Sequence, residues 1–206
     1  MNSNYSIQFF DTQFQQQVTA HDFRLNPFES AALPYLCGRV LDYGCGLGNL
    51  AFAAAERGCT VFALDASLAA ITHIQQRATA EALPVEAALA DLRDHEIDED
   101  FDVVVSIGLL MFFDCPTALK ALSKLQAHVR RGGIAIVNVL VEGTTYLDMF
   151  DAGGHCLFSR NEMQSRFAGW SILHSEFSNF DAPGGRNKAF VTVIAQKPHA
   201  HHERAA

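Results

Sequence analysis

Asp42, Gly44, Gly46, Gly48 and Asp65 are the residues whose types and spacing could hold a nucleoside. An apolar run, Val40-Leu41, ends in Asp42 and passes at once into D-Y-G-C-G-L-G. Glycine is needed where a turn takes positive φ or where a ligand lies against bare backbone. Three glycines in five residues between a strand and a helix build such a floor. A second apolar run closes on Asp65, where a strand-end carboxylate can accept both hydroxyls of a ribose. The dinucleotide fingerprint G-x-G-x-x-G, counted from Gly44, requires a third glycine where Asn49 stands. A nicotinamide-dependent oxidoreductase is therefore the weaker of the nucleotide readings.

The elements that must position these residues follow from periodicity. Ile7, Phe10, Phe14 and Val18 mark an amphipathic helix over 5–20. Asn26-Pro27-Phe28-Glu29 reads as N-cap, proline at N1 and capping-box glutamate, opening a helix that ends at Gly38. Strands are expected at 39–42, 60–64, 85–90, 101–107 and 134–141. Helices are expected from the glycine loop to about Gly58, over 67–82, and from Asp114-Pro116 with Leu119, Leu122, Leu125 and Val129 on one face, closed by Arg130-Arg131-Gly132-Gly133. After an irregular stretch, 142–158, come a helix over 161–167 and strands at 171–177 and 189–196, separated by a loop of hairpin type, N-F-D-A-P-G-G-R-N-K. The pattern predicts an α/β, Rossmann-like, doubly wound seven-stranded sheet, mostly parallel with an antiparallel last strand, plus N-terminal helices. Residues 1–38 form a helical cap, 39–198 the ligand-binding domain and 199–206 a disordered tail. The three histidines of the tail offer weak metal binding as the alternative to a solvated end.

Composition narrows the class. The 206 residues, 49% hydrophobic, suit one domain able to bury about 70% of its unfolded surface. No apolar run approaches the ~20 residues of a membrane span, and the first residues lack a signal-peptide pattern. The expectation is a cytoplasmic protein with no membrane partner. A net charge of −8, with 15 Lys and Arg scattered among 23 Asp and Glu, argues against a nucleic-acid partner. The five cysteines are odd in number with no C-x-x-C pair, so reduced, mostly buried thiols are expected and neither a disulfide nor a metal site.

The motif D-Y-G-C-G-L-G resembles motif I of the class I S-adenosylmethionine-dependent methyltransferases. Asp91-Leu92 is similar to their adenine motif, Phe101-Asp102 to their fourth motif, and R-R-G-G-I-A-I-V to the helix end and strand that follow. The segments S-I-G-L-L-M-F-F (106–113) and F-S-R-N-E-M-Q-S-R-F-A-G-W (158–170) are closest in pattern to the tellurite-resistance methyltransferase group. The chain departs from that group in the last hairpin, where Asn179 to Asn187 replaces a basic, histidine-containing stretch, so the acceptor does not carry over.

The resemblance implies S-adenosylmethionine as cofactor. Gly44, Cys45 and Gly46 would support its methionine part and Asp42 its amino group. Asp65 would hold the ribose, Asp91 the adenine amino group and Leu92 the ring, with Ala66 and Ser106 completing the set. Helix capping or turn formation is the alternative role for each acid. The implied reaction is methyl transfer to a small molecule by in-line displacement, for which a soft nucleophile such as a thiol or metalloid needs no strong base. Cofactor binding without transfer is the alternative. In open α/β sheets ligands lie beyond the carboxyl ends of the strands, which places Leu109, Phe112, Tyr146 and His155 by the acceptor. Phe9 and Phe14 would meet it from an N-terminal lid, or else pack the helix onto the domain. No catalytic base is assigned.

Overall fold

The long β-branched run of Phe101–Ile107 forms the centre of a seven-stranded sheet. The structure, a computed structural model, describes residues 5–151 and 154–199. The strands are β1 (Arg39–Tyr43), β2 (Thr60–Asp65), β3 (Val85–Leu89), β4 (Phe101–Ile107), β5 (Val129–Leu140), β6 (Ser171–Ala182) and β7 (Arg186–Gln196), in the order β3-β2-β1-β4-β5-β7-β6. The first five strands are parallel, and β7 runs antiparallel to both β5 and β6. Strand order reverses between β1 and β4, which makes the crevice above them the natural ligand site of such a sheet.

Side chains alternate between two cores because successive Cβ atoms point to opposite faces. Leu41, Val104 and Val137 pack under α5 (Cys115–Ala127) with Leu122 and Leu125. Val40, Val61, Val103 and Val105 pack with Leu50, Phe52, Ile71 and Ile74 of α3 (Asn49–Ala55) and α4 (Leu68–Glu81). Ser67 and Asp114 cap α4 and α5 through their side chains. The Asn26–Glu29 capping box forms as expected, but α2 spans only Pro27–Ala32 before a 3₁₀ turn at Leu33–Tyr35. Pro34 explains the early end, having no N–H to continue the ladder and a ring that crowds the preceding turn.

Three further expectations are corrected. Strand β5 starts at Val129, not Ile134: the basic stretch after α5 joins the sheet by an irregular register between Phe101 and Val103, and Arg130 pairs with Asp102 at 2.8 Å. The hairpin before the last strand forms as expected but its strands reach further, to Ala182 and from Arg186, with Asn179 opposite Ala189 and Ala182 opposite Arg186. Pro183-Gly184-Gly185 confines the reversal to a few residues. Finally, Cys115 and Cys156 form a disulfide, while Cys37, Cys45 and Cys59 are free. Their 41-residue separation gives no local signal; they meet because the segment after β5 folds back over the start of α5, where Cys156 N also donates to Met111 O.

Helix α1 (Tyr5–Ala20) buries only Ser6, whereas α4 and α5, of similar length, bury four residues each. It bridges two distant points. Tyr5 N donates to Asp151 Oδ1, Tyr5 Oη to Asp148 O and Ser6 Oγ to Met149 O at one end, and Asp11 accepts from Ser67 Oγ at the other. Residues 1–4 and, apart from His199, the predicted tail lie outside the described residues. No helix among the described residues is long and apolar enough to cross a membrane.

Candidate cofactor and acceptor site

A cavity of about 720 Å³ runs along the carboxyl edge of the sheet, towards the upper part of the range for small-molecule sites. Its floor changes character from strand to strand. Beyond β2 and β3 it is lined by Asp65, Ala66, Ser67, Leu89, Asp91 and Leu92. Beyond β1 and β4 come Asp42, Gly44, Gly46 and Leu109, and beyond β5 and β7 come Asn138, Lys188 and Phe190. Ile7, Phe10 and Phe14 of α1 form the roof, and Asn26, Phe28 and Glu29 close one end.

The glycine loop is held by its backbone. Gly44 N and Cys45 N both donate to Leu64 O, at 2.8 and 3.0 Å. Asp65 then fixes the next turn, its Oδ2 accepting from Gly46 N at 2.8 Å and its Oδ1 from Ser67 N at 2.9 Å. Each oxygen retains a lone pair for a ligand hydroxyl. Gly46 has φ +52°, and a Cβ built there would lie 3.3 Å from the Phe14 ring across the gap. The Phe14 ring therefore already rests close against this bare backbone, and a ligand laid over Gly46 takes the place of the ring.

Asp91 lines the cavity with its carboxylate gripped by Arg93, at 2.8 Å from Nε and 2.5 Å from Nη2, which lowers its pKa. Tyr43 Oη, donating to Leu92 O at 2.6 Å, holds this turn from behind. Cys45 is buried with its backbone in the loop, and Ser106 is fully buried with no partner for Oγ; neither side chain reaches the wall. Of the acceptor-side residues, Phe14, Leu109 and Phe112 line the cavity, while Phe9, Tyr146 and His155 stand behind it. Phe9 packs edge-on against Phe10, and His155 stacks on Phe150, which supports Phe112.

Sequence reasoning did not find Asn138, Lys188 or Phe190 as wall residues. Asn138 had a signal: an amide inside the apolar run I-V-N-V-L. It is fully buried, with Nδ2 donating to Thr192 Oγ1 at 2.9 Å and Oδ1 unpartnered. Lys188 and Phe190 had none: the first closes the expected loop and the second lies in the strand after it.

The "Methyltransferase domain" family matches residues 40–133, from β1 into β5. A hemagglutinin 1 of Eikenella corrodens is 30% identical over 170 residues, covering 78% of this chain and 55% of that protein. A probable S-adenosyl-L-methionine-dependent methyltransferase, TehB, of Haemophilus influenzae is 26% identical over 166 residues, covering 77% of this chain and 57% of that one. The crystal structure of TehB from Haemophilus influenzae superimposes with a TM-score of 0.76 at 20% identity, over 88% of this chain and 65% of that one. Residues 40–133 belong to the methyltransferase domain family, on a fold shared with TehB. The chain spans a little over half the length of these curated relatives.

The electrostatics of the cavity suit a cation. Burial first, then the Glu29 and Asp65 carboxylates, push the pKa of Asp42 up to about 8. Burial also raises Glu29 and Asp65. An unfolded carboxyl ionises near ~4, so the empty native state retains a proton that the unfolded chain releases, and stability falls as pH rises from ~4 to ~8. A cationic ligand beside Asp42 favours the ionised form. Binding of S-adenosylmethionine is therefore expected to release a proton near pH ~7 and to tighten as pH rises towards about 8. Calorimetry in buffers of different ionisation heat measures that proton, and Asp42→Asn should reduce it. An affinity that stays flat across this window would contradict the assignment of Asp42.

Proposed function

We propose that this chain binds S-adenosylmethionine over the Gly44–Gly46 backbone beside Asp65, with Phe14 moving aside, and transfers its methyl group to a small molecule held by Phe28, Phe112 and Phe190. The observation that carries the reading is one continuous cavity from the Asp65 carboxylate to the apolar wall at β7. The cofactor supplies a sulfonium-bound methyl group, already electrophilic. The protein then has mainly to position and to exclude water. Holding two reactants in near-attack geometry is worth about 7 to 11 kcal/mol.

Asp65 and the Gly46 backbone would fix the nucleoside and methionine parts, and Asp42 the ammonium. The acceptor end is lined by Phe28, Phe112, Met149 and Phe190, with Glu29 already accepting from Asn26 N at 2.7 Å. That setting favours nucleophiles that need no strong base, such as thiols or metalloid oxyanions. Production of S-adenosylhomocysteine with a panel of thiols, metalloid oxyanions and small amines tests the reaction. Tight cofactor binding with no product from any acceptor would favour the binding-only alternative.

The N-terminal helix supports a lid in this proposal. Ile7, Phe10 and Phe14 point their stripe at the cavity rather than at either core, so the helix has most to pack against when a ligand is present. Hydrogen exchange over residues 5–26 is expected to slow when S-adenosylhomocysteine is added. Deleting residues 1–20 should leave a folded domain with greatly reduced activity. Protection unchanged by ligand would reduce α1 to a packing element.

A further inference from the structure

The cations that line the cavity are Arg24, Arg93 and Lys188. Arg24 is engaged by Asp22 through two contacts of 2.8 Å, and Arg93 by Asp91. Lys188 has no carboxylate within salt-bridge distance among the described residues. Its Nζ lies 4.7 Å from the centroid of the Tyr146 ring. Arg186 faces the same ring at 4.7 Å, but its charge is taken up by Asp148, at 2.6 and 2.8 Å. Burial lowers the pKa of Lys188 and no acid offsets it. A half-buried ammonium without a counter-ion is a costly arrangement in an empty site, and an anion bound there relieves it.

Its place in the fold says which molecule brings the anion. Asp65 and Gly46 belong to the β2 and β1 ends, whereas Lys188 is carried by β7, three strands from β1 in the order β1-β4-β5-β7. At ~4.8 Å per strand that is about 14 Å along the sheet edge. Between them lies the apolar wall of Phe112, Met149 and Phe190, and Phe28 meets Phe190 at 4.7 Å. The position is also firmly built: Thr145 N and Tyr146 N both donate to Asn187 O, and Lys188 pairs with Phe180 across the hairpin.

We propose that Lys188 anchors the carboxylate of the methyl acceptor, which makes the substrate class an organic acid with an apolar or aromatic body seated against Phe28, Phe112 and Phe190. This rests on the methyltransferase reading above, with the nucleophile of the acceptor held between the anchor and the cofactor.

Three probes with one body and different charge test it: 3-phenylpropanoate, 3-phenylpropanamide and 3-phenylpropylamine, titrated into the full chain saturated with S-adenosylhomocysteine. The acid is expected to bind at least about tenfold more tightly than the amide or the amine. Lys188→Met should remove that preference while leaving the affinity for S-adenosylhomocysteine and for the amide unchanged, and Lys188→Arg should largely retain it. Equal binding of acid and amide, or no binding of any probe to the cofactor-saturated protein, would overturn the anchor. Loss of cofactor affinity in Lys188→Met would overturn it too, by assigning the lysine to the carboxylate of the cofactor. Failure of the wild-type chain to bind S-adenosylhomocysteine at all is a separate result, and overturns the methyltransferase proposal itself.

Discussion

Gly46→Val is expected to abolish S-adenosylmethionine binding while leaving most of the fold intact. At φ +52° a β-branched residue is strained by about 1 to 2 kcal/mol, whatever surrounds it. The larger effect is steric. The new Cβ begins only 3.3 Å from the Phe14 ring, and its two methyl groups would occupy the space over the loop that a ligand needs. Moving Phe14 aside would then no longer expose bare backbone for a ligand to lie on. Calorimetry should show at least about a hundredfold loss of affinity, beyond what the strain term alone could produce. The melting temperature of the empty protein should fall by only a few degrees, as for a destabilisation of about 1 kcal/mol. A variant that binds the cofactor normally would mean that the ligand does not lie over this loop.

Asp65→Ala should weaken cofactor binding by about 2 to 4 kcal/mol, roughly thirtyfold to a thousandfold. Two losses add. The carboxylate no longer accepts the ribose hydroxyls, and Gly46 N and Ser67 N lose the group that aligns them. Stability should change little, because burial already raises the pKa of Asp65 in the empty site and its removal relieves that cost. Asp65→Asn separates the two effects, since one amide oxygen can still accept from a backbone N–H. Its affinity should fall between those of the wild type and Asp65→Ala. An unchanged dissociation constant in Asp65→Ala would remove this carboxylate from the site.

The cofactor half of the cavity was legible because it is local. Asp42, the glycine loop and Asp65 lie within 24 positions, and a strand-turn-helix unit places them by its own geometry. The apolar run F-D-V-V-V-S-I announced the central strand for a similar reason, since a strand covered on both faces has no polar alternation to obscure it. The Asn26–Glu29 box could be read for the same cause: its hydrogen bonds join residues at most three apart.

The acceptor half was decided by tertiary structure. Phe28, Phe112, Met149 and Phe190 come from four separate segments, and no spacing links them. Lys188 sits in a stretch rich in glycine and asparagine that reads as a loop, yet pairing with Phe180 extends the strand through it and turns it towards the cavity. The Cys115–Cys156 bond likewise depends on the return of 142–158 over α5, a long-range closure that cysteine spacing does not encode. The sequence by itself therefore determined the sheet, the glycine loop and the carboxylates that would meet a nucleoside, because short-range hydrogen bonding and periodicity specify them. The shape and charge of the second chamber were decided only when distant segments packed together, since side chains far apart in sequence share a wall only after the chain has closed.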